Sequence, residues 1–86
     1  MTWTIEWSDR ARRDLRRLDR QMAQRAIAAV ERLAETEHGD VKRLEHVDPP
    51  EWRLRVGDWR VRFAFNYGTR AIEVLRVLPR GRAYRD

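Results

Sequence analysis

The stretch "EWRLRVGDWRVRFAF", residues 51–65, decides the fold of this 86-residue chain. Apolar and arginine residues alternate on both sides of Gly57-Asp58, and a period of two is typical of β-strands. A Gly-Asp dipeptide between two such runs favours a two-residue turn. The stretch therefore predicts a β-hairpin with strands at 52–56 and 59–67.

The alternation also assigns the faces of this hairpin. Successive strand side chains point to opposite faces, so the apolar set separates from four arginines: Arg53, Arg55, Arg60 and Arg62. Desolvating four like charges in so small a core would cost many kcal/mol. We therefore expect the apolar set to meet the rest of the core and the arginines to share an open face, with none of them buried.

Working outward toward the amino terminus, "TWTIEW" (residues 2–7) alternates as a half-buried strand. Ser8 is a candidate N-cap for a first helix, and a second helix is expected from about Arg20 to Glu37. Residues 39–51 contain two prolines and no period, which predicts a loop.

Toward the carboxyl terminus, a third hairpin-linked strand is expected at 71–78. The order is β-α-α-β-β-β, an α+β fold in which a helical hairpin covers one face of a small antiparallel-rich sheet. At 86 residues the chain is expected to form a single domain, 1–86. The last strand is apolar on both sides, as a central strand would be, and its parity places Arg76 and Arg80 on the arginine face, with Tyr84 beyond them.

The charge distribution indicates a polyanionic partner. Residues 1–51 carry ten Lys or Arg against eleven Asp or Glu, whereas residues 52–86 carry nine against three, so the net charge of +5 comes from the last third. RNA or DNA fits this field best, and an acidic protein segment is the alternative. A solvated charged face remains the ordinary explanation, but it would intersperse carboxylates, and Asp58 and Glu73 are the only acids between residues 52 and 85.

Composition excludes several other classes. There are no cysteines, hence no disulfides, thiolate metal site or thiol nucleophile. No apolar run approaches a membrane span and no secretory signal is visible, so a cytoplasmic location without membrane contact is expected. Two histidines, His38 and His46, with scattered acids give no metal-ligand spacing and are expected at the surface.

Three segments carry a resemblance to a known family: "SDRARRDLRRLD" (8–19), "KRLEHVDPPEWRLRVGDWRVRFAF" (42–65) and "VLRVLPRGRAY" (74–84). Over nearly its full length the chain resembles toxins of the RelE/ParE superfamily from type II toxin-antitoxin systems. The resemblance implies the RelE-like microbial ribonuclease fold, a cognate antitoxin with an acidic or amphipathic segment, and a toxin-antitoxin hetero-oligomer.

RelE-like members imply a ribosome-dependent, metal-independent mRNA endonuclease that inhibits translation and needs no cofactor. Carried over by motif, its catalytic residues are Arg53, Arg55, Arg60, Arg80 and Tyr84. Further residues are expected to bind RNA: Arg62, Arg76 and Arg82. A ribose 2′-hydroxyl would attack its adjacent phosphodiester, giving a 2′,3′-cyclic phosphate and a free 5′-hydroxyl, while guanidinium groups stabilise the transition-state charge.

The resemblance leaves three points open. Arginine is not deprotonated in proteins, so Arg53 and Arg55, where some relatives have lysines, exchange no proton. Tyr84 is then the candidate general base, with an ordinary pKa of about 10 that must be lowered, or else only a stacking platform for a base. ParE-like members inhibit DNA gyrase instead, and an inactive relative would only bind nucleic acid or antitoxin.

Overall fold

Residues 2–82 of the chain, which the computed structural model describes, form two α-helices and five β-strands. A single 3-10 turn, η1, follows the last strand. In chain order the elements are β1 (Thr4–Trp7), α1 (Asp9–Arg17), α2 (Arg20–Thr36), β2 (Val41–Arg43), β3 (Trp52–Val56), β4 (Trp59–Asn66), β5 (Ala71–Pro79) and η1 (Arg80–Arg82).

The five strands form one sheet in the order β1-β5-β4-β3-β2. The pairs β2–β3, β3–β4 and β4–β5 are antiparallel, and only β1 runs parallel to its neighbour β5. The β3–β4 hairpin is the predicted one, with Val56 opposite Trp59 across the turn. Gly57 has φ of +59°, a conformation that suits glycine at the first position of a tight hairpin turn.

The prediction from the sequence missed one strand. The segment 39–51, predicted to be a loop throughout, contains β2, which pairs its three residues with Leu54, Arg53 and Trp52 of β3. The predicted order β-α-α-β-β-β is therefore wrong by one strand. Three residues are too few to produce a recognisable alternation, and their strand conformation depends on pairing with β3.

Local capping explains where the two helices begin. The Ser8 hydroxyl accepts a hydrogen bond from the Ala11 backbone N–H at 3.0 Å, as predicted, and the Asp19 carboxylate does the same for Met22 at 2.9 Å. Leu18 and Asp19 alone separate the helices, so α2 turns back over the sheet. Neither of these helices is long and apolar enough to cross a membrane within the described residues.

The core lies between the helices and one face of the sheet, and it confirms the predicted separation of apolar and arginine residues. Val30, Leu33 and Ala34 of α2 pack with the apolar sets of the strands. Those strand residues are Leu54, Val56, Val61, Phe63, Ile72, Val74 and Val77. The opposite face carries the arginines.

Strand β5 lies inside the sheet between β1 and β4, which accounts for its apolar residues on both faces. Its irregular alternation has a specific cause. Arg76 pairs with Arg62 but Val74 pairs with Phe63, so Leu75 is an extra residue in β5. The residues on its two sides, Val74 and Arg76, consequently lie on opposite faces of the sheet. Leu75 therefore does not share the helix-facing side with Val77.

Candidate nucleic-acid interface

The hairpin arginines stand in register across neighbouring strands. Arg53 lies opposite Arg62 in the β3–β4 pair, and Arg62 lies opposite Arg76 in the β4–β5 pair. Arg53, Arg62 and Arg76 therefore form one row across the middle of the open face, which we call the paired row. One step closer to the hairpin turn, Arg55 lies opposite Arg60.

Each arginine of the paired row meets a carboxylate. Arg62 donates from Nε and Nη2 to Oε1 of Glu51, at 3.0 and 2.6 Å, and Arg53 Nη1 lies 3.2 Å from Oδ1 of Asp40. The same Nη1 also donates to the Asp40 backbone carbonyl at 2.8 Å. These carboxylates come from segments that precede β3, so counting acids between residues 52 and 85 did not reveal them.

The third pair joins a helix to the sheet. Asp14 of α1 accepts from Arg76 Nε at 2.9 Å and from the Val77 backbone N–H at 2.8 Å, both at Oδ2. Asp14 is itself buried, with 8% of its surface exposed. Beyond the end of β1, the edge of β5 thus bonds to a side chain of α1 instead of to a neighbouring strand.

These contacts correct the expectation that no hairpin arginine is buried. Arg62 is only 6% exposed, and burial is sustained because Glu51 neutralises its charge. RNA binding by Arg62, which the sequence predicts, therefore competes with the Glu51 ion pair for the same guanidinium group. The paired row as a whole brings three guanidinium groups and three carboxylates together and contributes little net charge to the face.

Arg60 is buried in a different way. It is also 6% exposed, but its Nη1 donates to the backbone carbonyls of Gly57 and Trp59, at 2.9 and 3.0 Å. Within residues 2–82 no carboxylate pairs with it. Carbonyl dipoles satisfy the hydrogen bonds of one nitrogen without cancelling the charge, so Arg60 places a largely uncompensated cation beneath the surface.

Two exposed arginines join Arg60 at the turn. Arg55 is exposed on β3, and Arg80 is exposed in η1. The Arg80 backbone N–H donates to the Asp58 carbonyl at 2.9 Å, which fixes η1 beside the hairpin turn. Arg55, Arg60 and Arg80 are called the hairpin-end arginines below. Among the described residues none of them has a carboxylate partner.

Toward its opposite end, the same face carries two carboxylates, of which Glu51 is paired with Arg62. Glu51 and Glu73 have the parity of the arginines, and Glu73 accepts a hydrogen bond from Asn66 Nδ2 at 3.3 Å. Charge therefore changes along the strands from the Glu73 carboxylate, through the neutral paired row, to the uncompensated hairpin end. A bound polyanion is expected to lie toward the hairpin turn.

The other candidate residues fall in three places. Arg82 is exposed in η1, near Arg80, and both histidines are exposed, as predicted. Tyr84 lies outside the described residues, so its predicted approach to the arginine face stays a prediction. Across residues 2–82 no three histidine or acidic side chains come together in an arrangement suited to a metal ion.

The sequence contained one signal for the missed carboxylates. Asp14 falls on the same stripe of α1 as Ala11, Leu15 and Leu18, which face the sheet. A carboxylate on a buried stripe predicts a buried cationic or hydrogen-bonding partner. No comparable signal marks Asp40 or Glu51, because both lie in irregular segments.

Comparisons with known proteins identify the family of the chain. The family model for the ParE toxin of the type II toxin-antitoxin system, parDE, matches residues 5–84. The chain therefore belongs to this toxin family, within the RelE/ParE superfamily, and is a toxin of a type II toxin-antitoxin system. No curated protein sequence matches the chain.

Solved structures match over almost the whole chain. The toxin in the archaeal RelE-RelB complex from Pyrococcus horikoshii is 28% identical, with a TM-score of 0.77 over 96% of this chain and 100% of that one. The toxin-antitoxin complex RelBE2 from Mycobacterium tuberculosis matches with 23% identity and a TM-score of 0.72, over 93% of this chain and 100% of that one. A doubly substituted E. coli RelE in the free state matches with 14% identity and a TM-score of 0.76, over 96% of this chain and 88% of that one. The predicted RelE-like α+β fold is confirmed.

Proposed function

We propose that this toxin is a ribosome-dependent, metal-independent endoribonuclease that cuts mRNA and so inhibits translation. The observation that carries the proposal is the hairpin end, where a buried Arg60 without a carboxylate partner in the described chain lies beside Arg55 and Arg80. An uncompensated buried cation is costly to a small protein unless an anion binds there.

The chemistry that suits this arrangement is phosphoryl transfer within the RNA strand. The 2′-oxygen forms a bond to phosphorus while the bond from phosphorus to the 5′-oxygen breaks. The products are a 2′,3′-cyclic phosphate and a 5′-hydroxyl, and the proton lost by the 2′-hydroxyl is balanced by the one gained at the 5′-oxygen. Negative charge grows on the phosphate oxygens in the transition state, and preorganised guanidinium groups stabilise it.

Proton transfer is assigned to Tyr84, because the arginines of the face stay protonated. Tyr84→Phe separates its two candidate roles, since the ring that stacks on a base remains and only the hydroxyl is lost. We expect a loss of cleavage of at least about 10²-fold, within the range typical of acid–base catalysis. Cleavage at the wild-type rate would leave Tyr84 as a stacking platform.

The acidic side chains of the open face serve the proposed reaction only indirectly. Glu51 lies just before β3, four residues from Arg55, a distance of roughly 13 Å at the rise of an extended chain. Arg62 Nε and Nη2 both donate to Oε1 of Glu51, which fixes the guanidinium in the sheet. We assign Glu51 to maintaining the paired row.

A cognate antitoxin is the proposed partner. The matching toxins from P. horikoshii and M. tuberculosis are found in complexes with RelB-type antitoxins. In this chain the basic hairpin end offers charge to an acidic segment, and a segment that folds on binding can cover a large area. Co-expression with the adjacent small gene should yield a stable, non-toxic complex, and recovery of the toxin alone would contradict this.

Two assays on the same preparation test the function. Purified toxin added to translating ribosomes should cut mRNA at the ribosomal A site, with 2′,3′-cyclic phosphate and 5′-hydroxyl ends. Toxin added to DNA gyrase and supercoiled plasmid should leave the DNA intact. Gyrase-dependent DNA breakage without mRNA cleavage would replace the proposal with the ParE-like activity, and inactivity in both assays would leave only a binding role.

A further inference from the structure

The helix α1 carries a second concentration of charge that the proposed cleavage site does not use. Five of its nine residues are arginines, and all five are exposed. They are Arg10, Arg12, Arg13, Arg16 and Arg17. The net charge of residues 1–51 does not reveal this cluster, because acidic residues elsewhere in that range offset it.

The five arginines lie on one side of the helix. With 3.6 residues per turn they fall within an arc of about 160°, and Arg10 and Arg17 are separated by about 10 Å along the axis. Ala11, Asp14, Leu15 and Leu18 occupy the arc that faces the sheet. Asp9 is the one carboxylate in the arginine arc, and the described residues contain no ion pair that involves Asp9 or any of the five arginines.

This arrangement works against the stability of the helix. Arg12 and Arg16, and likewise Arg13 and Arg17, are neighbours four residues apart, where like charges destabilise a helix. A short helix with a solvated surface role would gain from glutamates at positions 12 and 13, which could pair with Arg16 and Arg17 in the last turn. The repeated arginines therefore indicate a bound polyanion.

The surface of α1 is continuous with the arginine face of the sheet. Arg17 lines a cavity of about 100 Å³ together with Arg76 and Arg82. At the other end of the helix, Arg10 lines a cavity of about 350 Å³ together with Arg62 and Arg76. One ligand, or two parts of one assembly, can contact both surfaces at once.

The residue types of the arc specify the kind of polyanion. The sequence of α1, "DRARRDLRR", contains no aromatic residue on which an unpaired base could stack. Single-stranded RNA is usually held by such stacking, whereas double-helical RNA is recognised through its phosphates and shape. Guanidinium groups spaced along one helix suit the phosphate backbone of a duplex.

We infer that the outer face of α1 is a second RNA-binding surface, which holds the toxin on double-helical ribosomal RNA while the hairpin end acts on mRNA. This inference rests on the proposed function, because an enzyme that cuts only ribosome-bound mRNA needs contacts to the ribosome besides the mRNA itself. The α1 surface supplies affinity and the hairpin end supplies catalysis.

The test compares two double variants of the full chain with equal changes in charge. Arg12→Gln/Arg16→Gln alters the α1 surface, and Arg32→Gln/Arg43→Gln removes two exposed arginines from α2 and β2 as the control. Glutamine has nearly the helix propensity of arginine, so the α1 variant should unfold at the same or a higher denaturant concentration. Binding to vacant ribosomes and to a free RNA duplex is measured over a series of salt concentrations at fixed magnesium.

We expect the α1 variant to bind vacant ribosomes about tenfold more weakly near physiological salt, and its log affinity to depend less steeply on log salt, by about 1.8 for two lost phosphate contacts. The control variant should bind as the wild type does. On mRNA-loaded ribosomes the α1 variant should reach the wild-type maximal rate at a higher ribosome concentration.

Unchanged ribosome binding by the α1 variant would overturn the inference, and so would a loss confined to antitoxin binding. The wild type decides the proposed function separately. If it binds vacant ribosomes through α1 but cuts no mRNA, the cleavage proposal fails and the α1 surface stands. If it cuts mRNA and the α1 variant has wild-type affinity, only the α1 surface fails.

Discussion

Two sets of arginines on one sheet face differ in what surrounds them. Arg53, Arg62 and Arg76 of the paired row each meet a carboxylate, whereas the hairpin-end arginines Arg55, Arg60 and Arg80 meet none among the described residues. The two sets have the same chemistry, and Arg55 and Arg60 have the same strand parity as the paired row. The difference teaches that an arginine-rich face can contain structural and ligand-binding cations side by side, and that the position of carboxylates separates them.

Substitutions in the two sets are expected to change different properties of the protein. Changes in the paired row should appear mainly in the free energy of unfolding, because they uncover a buried charge. Changes at the exposed hairpin-end residues Arg55 and Arg80 should appear mainly in cleavage or RNA affinity, because exposed side chains without an acidic partner in the described chain contribute little to folding.

The largest effect is expected from Asp14→Ala. This change removes the Asp14 carboxylate that accepts from the Arg76 guanidinium and from the Val77 N–H, and breaking a buried pair typically costs about 3–5 kcal/mol of unfolding free energy. Urea denaturation followed by circular dichroism measures it. Asp14→Asn is the milder companion, since its side-chain oxygen can still accept from Val77. If both variants had the unfolding free energy of the wild type, the Asp14–Arg76 pair would not stabilise the fold.

Arg80→Ala comes next. We expect the folded variant to lose at least about 10²-fold in mRNA cleavage on ribosomes, a loss typical of removing one donor to a transition-state oxyanion. Its unfolding free energy should equal that of the wild type, because the Arg80 side chain is exposed and the Asp58 contact uses its backbone. Arg32→Ala, on the exposed surface of α2, serves as the matched control. Full toxicity of Arg80→Ala in growing cells would favour the gyrase-directed activity.

Arg55→Ala tests the same contrast at the level of binding. Arg55 and Arg53 are two residues apart on β3 and share a face, but only Arg53 has an acidic partner in the described chain. Arg55→Ala should weaken mRNA binding and reduce the salt dependence of log affinity by about 0.7, the value for one phosphate of a single strand. Arg53→Ala should change that salt dependence less. Equal slopes for the two variants would mean that the ion pair does not separate the two arginines.

The smallest effect is expected from Asp40→Ala. The Asp40 side chain is 58% exposed, and exposed ion pairs contribute about 1 kcal/mol or less. Arg53 Nη1 also keeps its bond to the Asp40 backbone carbonyl in this variant. Denaturant unfolding should therefore shift only slightly. If RNA binding rises at the same time, neutralisation by Asp40 is what keeps Arg53 out of the binding surface.

Much of the fold was predictable because it depends on neighbours in the chain. The alternation in residues 51–65 fixed the two faces of the hairpin, and Ser8 fixed the start of α1 through a bond only three residues long. The helical hairpin over the sheet was likewise predicted from the order of the elements, and the family resemblance implied the same fold. The three-residue β2 escaped, since its only support is its pairing with β3.

The sequence by itself determined that the arginines lie together on one face, because side-chain parity in a strand is a local property. Only the tertiary structure decided which of them are neutralised. Arg62 meets a carboxylate 11 residues away, Arg53 one 13 residues away and Arg76 one 62 residues away. Such pairs depend on the docking of α1 along β5, on the bulge at Leu75 and on the path of the segment before β3. No periodicity within a strand encodes those distances.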